Sequence, residues 1–298
     1  MRSEPDPRSR PGVAPLLEGL LAHETEGRDD VIDPRFFAAL DGRCVTERTW
    51  RGWAGPPNLF PMIYSDVSLL SATWTLPVDE AAALLPPTER LTPMRLTPGR
   101  AALVVFAFDY RRGGLGAYRE LGVAVPVLLD ARRTPPLWPA LRDRLKPGSH
   151  PRLGMYAVAL PVDRPRACEA GIRLYGLPKL VGEAEFALNA DGGRAGMTHD
   201  GRRMGDLAVR LAANAPRAKR LDLAFRTLSV LDGRIVRTRY AVVAEGYRGR
   251  DGWADFTPGE HPGFAPFHGL ALSERPIEVR RVPRLNWIIE EPEDAGPA

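Results

Sequence analysis

Beyond the Gly55-Pro56-Pro57-Asn58 break, apolar residues fall into short β-branched and aromatic runs divided by Gly, Pro, Asn and Asp, which is the pattern of strands. Strands are predicted from Tyr64 to about Thr75, over Ala101–Tyr110, over Tyr118–Leu129 and over Met155–Val162. A short helix is expected over Val78–Leu85, closed by Pro86-Pro87, and a second over Pro136–Leu145. The run from Arg111 to Gly116 reads as a connection between strands. Asp163 is expected to cap a helix that runs to Tyr175 and is stopped by Gly176 and Pro178. Asp200-Gly201 and Asp232-Gly233 each sit between two strand-like runs and read as hairpin turns. Ile277–Ile289 supplies a last strand, and the acidic tail from Glu290 to Ala298 is expected to be loose. With no repeat and no alternation of strand and helix, the pattern predicts a mainly β fold over residues 56–298. The expected form is an antiparallel barrel or strongly curved sheet with a few short helices.

Residues 1–55 form a different stretch. The first 13 are polar and proline-rich and read as disordered. Ala14–His23 has helical spacing, and Asp33-Pro34 opens a second short helix that Gly42 ends. Too few apolar residues are present for an independent core, so an N-terminal extension packing on the body or on another subunit is expected.

At 298 residues and 44% hydrophobic, the chain can bury a sizeable core, and its 30 prolines and 29 glycines suit a turn-dense sheet protein. The formal charge is only +4, and the arginines are scattered without interleaved aromatics, which argues against nucleic-acid binding. Cys44 and Cys168 form no disulfide framework, and the five histidines show no metal-ligand spacing. No apolar run approaches the length of a membrane span and the N-terminus leads into no signal-type apolar stretch, so a soluble, cytoplasmic protein is expected. A nucleotide loop at Gly113-Gly114-Leu115-Gly116 fails for lack of a following GK[ST] and helix start, and there is no GxSxG.

Two positions carry candidate chemistry. The chain has three lysines, Lys146, Lys179 and Lys219, among 41 basic residues, and Lys179 alone has apolar neighbours on both sides, in Tyr175-Gly176-Leu177-Pro178-Lys179-Leu180-Val181-Gly182. Apolar surroundings weaken the hydration of an ammonium and favour its neutral, nucleophilic form, as imine formation requires. The same turn also fits a strand entry whose lysine reaches back to water. Glu120 interrupts an otherwise apolar strand, either as an edge gatekeeper or as a functional carboxylate. Alternation puts Tyr118, Glu120, Gly122 and Ala124 on one face, where the small residues leave space beside the acid.

The run GLGAYRELGVAVPV (Gly114–Val127), followed about 50 residues later by GIRLYGLPKLVG (Gly171–Gly182), resembles the acetoacetate decarboxylase family. The resemblance spans roughly Pro61 to Glu291. It implies that Lys179 matches the family's Schiff-base lysine and Glu120 the acid on the neighbouring strand, and Tyr118, Tyr175 and Leu180 beside them are expected to contact the substrate. It also implies a homo-oligomer and a carbon–carbon lyase that takes a small keto acid or ketone and needs no cofactor. Aldolase, dehydratase or cyclase chemistry on the same scaffold, and non-catalytic binding of a small molecule, stay open beside it. Typical members carry a second lysine where this chain has Leu180, a further glutamate where Val105 stands, and an arginine in a stretch, Gly55–Glu89, that here has none. These departures point to a larger and more apolar substrate than acetoacetate.

Overall fold

A computed structural model describes residues 46–49, 55, 57–131, 150–215, 220–246 and 248–298. The two helices expected before residue 45 and the one over Pro136–Leu145 lie outside the described residues. The described residues open with two short paired strands, β1 (Thr46–Arg48) and β2 (Asn58–Phe60), and then enter the long β3 (Met62–Pro77). Helix α1 (Val78–Ala83) and the short β4 (Leu91–Pro93) and β5 (Arg95–Thr97) lead to β6 (Arg100–Gly113) and β7 (Tyr118–Leu129). After β8 (Leu153–Ala159) comes helix α2 (Pro165–Tyr175), then β9 (Glu183–Leu188), β10 (Gly192–His199) and β11 (Arg202–Leu211). The hairpin of β12 (Arg220–Leu231) and β13 (Arg234–Glu245), the strands β14 (Arg248–Arg250) and β15 (Gly252–Pro258), and finally β16 (Glu278–Ile289) and β17 (Glu293–Pro297) complete the order.

Seven strands close a barrel in the order β16-β3-β6-β7-β8-β12-β13, with β13 pairing back onto β16. The ladders are antiparallel except between β8 and β12, which meet in parallel at Met155 and Thr227. That single contact is the departure from the all-antiparallel barrel the sequence predicts. A separate four-stranded sheet runs β15-β11-β10-β9. Both Asp-Gly turns form as expected, with positive φ at Asp200, Gly201, Asp232 and Gly233, the conformation a two-residue hairpin needs.

Two apolar clusters follow from strand alternation. Leu121, Val123, Val125 and Val127 of β7 point to an aliphatic cluster shared with Met197 of β10 and Leu207 of β11. The opposite face of β7 points to a cluster that draws on strands all around the ring: Tyr64, Tyr110, Tyr118, Phe225, Tyr240 and Trp287. This second cluster therefore fills the barrel lumen, and it is aromatic. Trp287 lies 4.7 Å from Phe108, 5.5 Å from Tyr240 and 5.6 Å from Tyr110, measured between ring centres.

Three local expectations are corrected. Asp163 does not cap α2: Arg164 holds that position without a side-chain bond, while the Asp163 carboxylate accepts the Arg119 N–H at 2.8 Å. β6 continues through Arg111 and Arg112 to Gly113, so the connection to β7 is shorter than predicted. The tail is not loose, because β17 pairs with β13, and Arg234 and Arg237 bind Asp294 and Glu293. Acidic residues that look like a solvated end find a row of arginines on the adjacent strand.

Candidate active site

Backbone bonds set the distance between the two candidate residues. Glu120 lies on β7, and the segment Leu160–Val162 runs beside it, with the Leu121 N–H donating to the Pro161 carbonyl at 3.1 Å. On its other side the same segment binds the lysine turn: Leu160 N–H donates to Pro178 O at 3.2 Å, Val162 N–H to Leu180 O at 2.8 Å, and Gly182 N–H to Val162 O at 2.8 Å. Val162 is thus paired with Glu120 and with Val181 at once. Residues 59 apart in sequence are held on two sides of one splint.

Helix α2 aims the lysine. Gly176 ends it in the left-handed conformation, φ 61°, and the Leu177 N–H returns to the Gly171 carbonyl at 3.0 Å, so the chain reverses over the last helical turn. The lysine stem then lies on Gly171. A Cβ at that glycine would stand 2.3 Å from Lys179 Cδ and 2.5 Å from Cε, so any larger residue there would displace the lysine stem.

At its end Lys179 Nζ donates to Glu120 Oε2 at 2.7 Å, with the side chains only 5% and 6% exposed. The other carboxylate oxygen accepts the Tyr110 hydroxyl at 3.2 Å. Tyr118 stacks on Tyr110 with ring centres 4.1 Å apart, and its ring centre lies 5.5 Å from Nζ, a cation–π contact. Burial pushes the Tyr110 and Tyr118 phenols well above the usual tyrosine range, and the charge of Glu120 pushes in the same direction. Both phenols are therefore held protonated, and that of Tyr110 donates to Glu120. Cys168 sits one turn before Gly171 on α2, and its thiol is raised by burial despite the lysine charge near it.

The other predicted contacts fall differently. Tyr175 is buried in the lumen cluster, where its hydroxyl meets Met62 Sδ at 3.4 Å and its carbonyl accepts the Ser229 hydroxyl. Leu180 packs against the aliphatic cluster on the other side of the wall, while its neighbours Lys179 and Val181 face the lumen. The space expected beside Gly122 is filled: a Cβ there would stand 2.2 Å from the Phe106 ring and 2.7 Å from Leu160. Gly113 plays the same part for Tyr64, whose ring a Cβ would approach to 2.1 Å. Tyr110 and Gly171 carry the site without having been singled out from the sequence. The signals were there, in a Phe106-Phe108-Tyr110 alternation facing the acid and in a glycine inside a helix.

Among the described residues no group of three or more His, Cys, Asp or Glu side chains could hold a metal ion, and no helix is long and apolar enough to cross a membrane.

A family model, acetoacetate decarboxylase (ADC), matches residues 45–275. The chain belongs to the acetoacetate decarboxylase family. Its fold is shared by the acetoacetate decarboxylase of Legionella pneumophila at 14% identity and a TM-score of 0.58, covering 80% of this chain and 88% of that one. The enduracididine biosynthesis enzyme MppR, complexed with pyruvate, is similar at 15% identity and a TM-score of 0.53, covering 78% and 90%. An acetoacetate decarboxylase-like enzyme from Sphingomonas wittichii RW1 matches at 12% identity and a TM-score of 0.55, covering 84% and 99%. No curated relative matches the chain by sequence. The lysine and glutamate motifs both lie inside the family match, on a fold whose solved relatives include enzymes.

Proposed function

We propose that this protein is a Schiff-base enzyme acting on a ketone or keto acid, with Lys179 as nucleophile and Glu120 as general acid/base. The observation that carries the reading is the buried amine–carboxylate pair at 2.7 Å. Glu120 Oε2 is within reach to take a proton from the ammonium, leaving a neutral amine to attack the carbonyl carbon. Loss of water then gives an iminium whose positive nitrogen accepts electrons from the adjacent carbon. Where the substrate carries a β-carboxylate, the carbon–carbon bond breaks, carbon dioxide leaves, and the bonding electrons form an enamine. Glu120 returns a proton to the enamine carbon, and water frees the ketone and the lysine.

A second reading is favoured by the aromatic lumen: the enamine attacks an aldehyde instead, as an aldol-type condensation. MppR, which shares the fold, has been solved with the condensation product of pyruvate and imidazole 4-carboxaldehyde. The walls nearest the pair are Tyr110 and Tyr118, flat faces that suit an aromatic or unsaturated substituent better than a second carboxylate.

Incubation with acetoacetate and with pyruvate plus an aromatic aldehyde separates the readings by product. Carbon dioxide from acetoacetate supports decarboxylation, and a new carbon–carbon bond from the mixture supports condensation. Lys179→Arg should abolish either. Turnover by that variant at the wild-type rate would rule out imine chemistry.

A further inference from the structure

Glu120 has two oxygens and two buried donors, one each. Oε2 takes the Lys179 ammonium at 2.7 Å and Oε1 takes the Tyr110 phenol at 3.2 Å. The second contact follows from register. In the β6–β7 ladder Phe108 stands directly opposite Glu120 and Tyr110 opposite Tyr118, so Tyr110 reaches the acid diagonally, across a spacing that a long side chain can bridge. Its ring has little freedom to turn: Tyr118 stacks on it at 4.1 Å, with Tyr64 at 5.1 Å, Phe108 at 5.4 Å and Trp287 at 5.6 Å.

We propose that Tyr110 is a positioning residue that holds Glu120 during proton transfer, keeping Oε1 engaged so that Oε2 alone faces the lysine nitrogen and the substrate carbon bound to it. The inference rests on the imine reading above and adds a division of labour within it. While Lys179 is an ammonium it holds Glu120 itself. Once its nitrogen is bonded to the substrate carbon, at most one N–H remains, and the carboxylate must turn from that nitrogen toward the adjacent carbon. The α-carbon proton then passes to Oε2, its bonding pair enters the iminium to give a neutral enamine, and the reverse step delivers a proton from Oε2. Throughout, the Tyr110 hydroxyl is the donor that does not change partner. It stays protonated because it is buried beside a negative charge. Tyr110 should therefore matter little for forming the imine and much for moving the proton.

The test uses the full chain and three probes, acetoacetate, pyruvate and phenylacetone, with two readouts in deuterated water. One is borohydride trapping of the imine, and the other is deuterium uptake at the carbon beside the carbonyl. Tyr110→Phe keeps the stacked ring and should trap as the wild type does while exchanging about 10- to 100-fold more slowly, the range for losing a hydrogen bond to a charged group. A merely structural role would lower trapping and exchange together. In a Glu120→Gln background the same change should have no further effect on exchange, since the group it positions is gone. Wild-type exchange by Tyr110→Phe, a parallel loss of both readouts, or an equal slowing in the Glu120→Gln background each overturns the proposal. If Tyr110→Phe fails to fold, Tyr110→Met in the folded population should show the same split between trapping and exchange, and a parallel loss there overturns it too. Failure of the wild type to trap any of the three probes overturns the imine reading itself, whereas trapping with an unaltered Tyr110→Phe exchange rate overturns only the role of Tyr110.

Discussion

Lys179 and Glu120 each neutralise the other in a lumen from which water is largely excluded, and that mutual dependence decides which substitutions are informative. Lys179→Ala would leave a buried carboxylate unpaired, a loss of the kind that costs about 3–5 kcal/mol, so lost activity could reflect lost structure. Lys179→Arg keeps a cation beside Glu120 but cannot supply a neutral nucleophile. It should melt close to the wild type and be inactive, as thermal denaturation and product assay together can check. Glu120→Gln keeps the shape and a hydrogen-bond acceptor while losing the proton carrier. Its turnover should fall by roughly 100- to 10,000-fold, with imine trapping affected far less. An unchanged rate would make Glu120 a structural partner of the lysine and nothing more. Leu180, which stands where typical family members carry a second lysine, packs on the far side of the wall from Lys179. A simple Leu180→Lys exchange would therefore start from the opposite face.

At the scale of elements, position is set by the Leu160–Val162 splint and by α2. The splint bonds to the strand of Glu120 and to the lysine turn through backbone groups, so its register is insensitive to side-chain identity. Helix α2 is more exposed to sequence change at Gly171. Alanine has the better helix propensity by about 1 kcal/mol, yet its methyl would occupy the path of the lysine stem, 2.3 Å from Cδ. Gly171→Ala is expected to lose at least about tenfold in turnover because Nζ leaves Glu120, and to melt below the wild type because the separated charges stay buried. Turnover at the wild-type level would show that the stem can take another route to the same place. The turn at Gly176 is fixed more rigidly still, since its φ of 61° and the Val230 carbonyl 2.5 Å from an added Cβ both exclude side chains.

On the scale of the whole molecule, a barrel lined with tyrosines has a consequence for alkaline stability. Tyr64, Tyr110, Tyr118, Tyr175 and Tyr240 are all raised above the ordinary value of 10.0 by burial. Above that pH the unfolded chain releases phenolic protons that the folded protein keeps, so stability should fall steadily as pH rises past 10, and phenolate absorbance should lag until unfolding. Early, reversible titration of these phenols in the folded protein would mean that the lumen admits water. Much of the fold was legible in advance, because β7 and the two Asp-Gly hairpins are written in local signals: an apolar run between Gly116 and Asp130, and positive-φ turn residues between alternating strands. Lys179 and Glu120 were legible as residues out of keeping with their neighbours. Tyr110, Gly171 and the true partner of Asp163 were harder to single out, since each acquires its role from a contact that strand pairing or the chain reversal after α2 creates. The strand made by the acidic tail was hidden for the same reason. What the fold brings together is a lysine and a glutamate in an aromatic chamber, and its proposed purpose is tested most directly by borohydride reduction of the full chain with acetoacetate, pyruvate or phenylacetone, followed by peptide mass mapping. The account predicts a substrate-dependent adduct on the peptide containing Lys179, absent from Lys179→Arg. An adduct confined to Lys146 or Lys219, or none with any of the three, would contradict it.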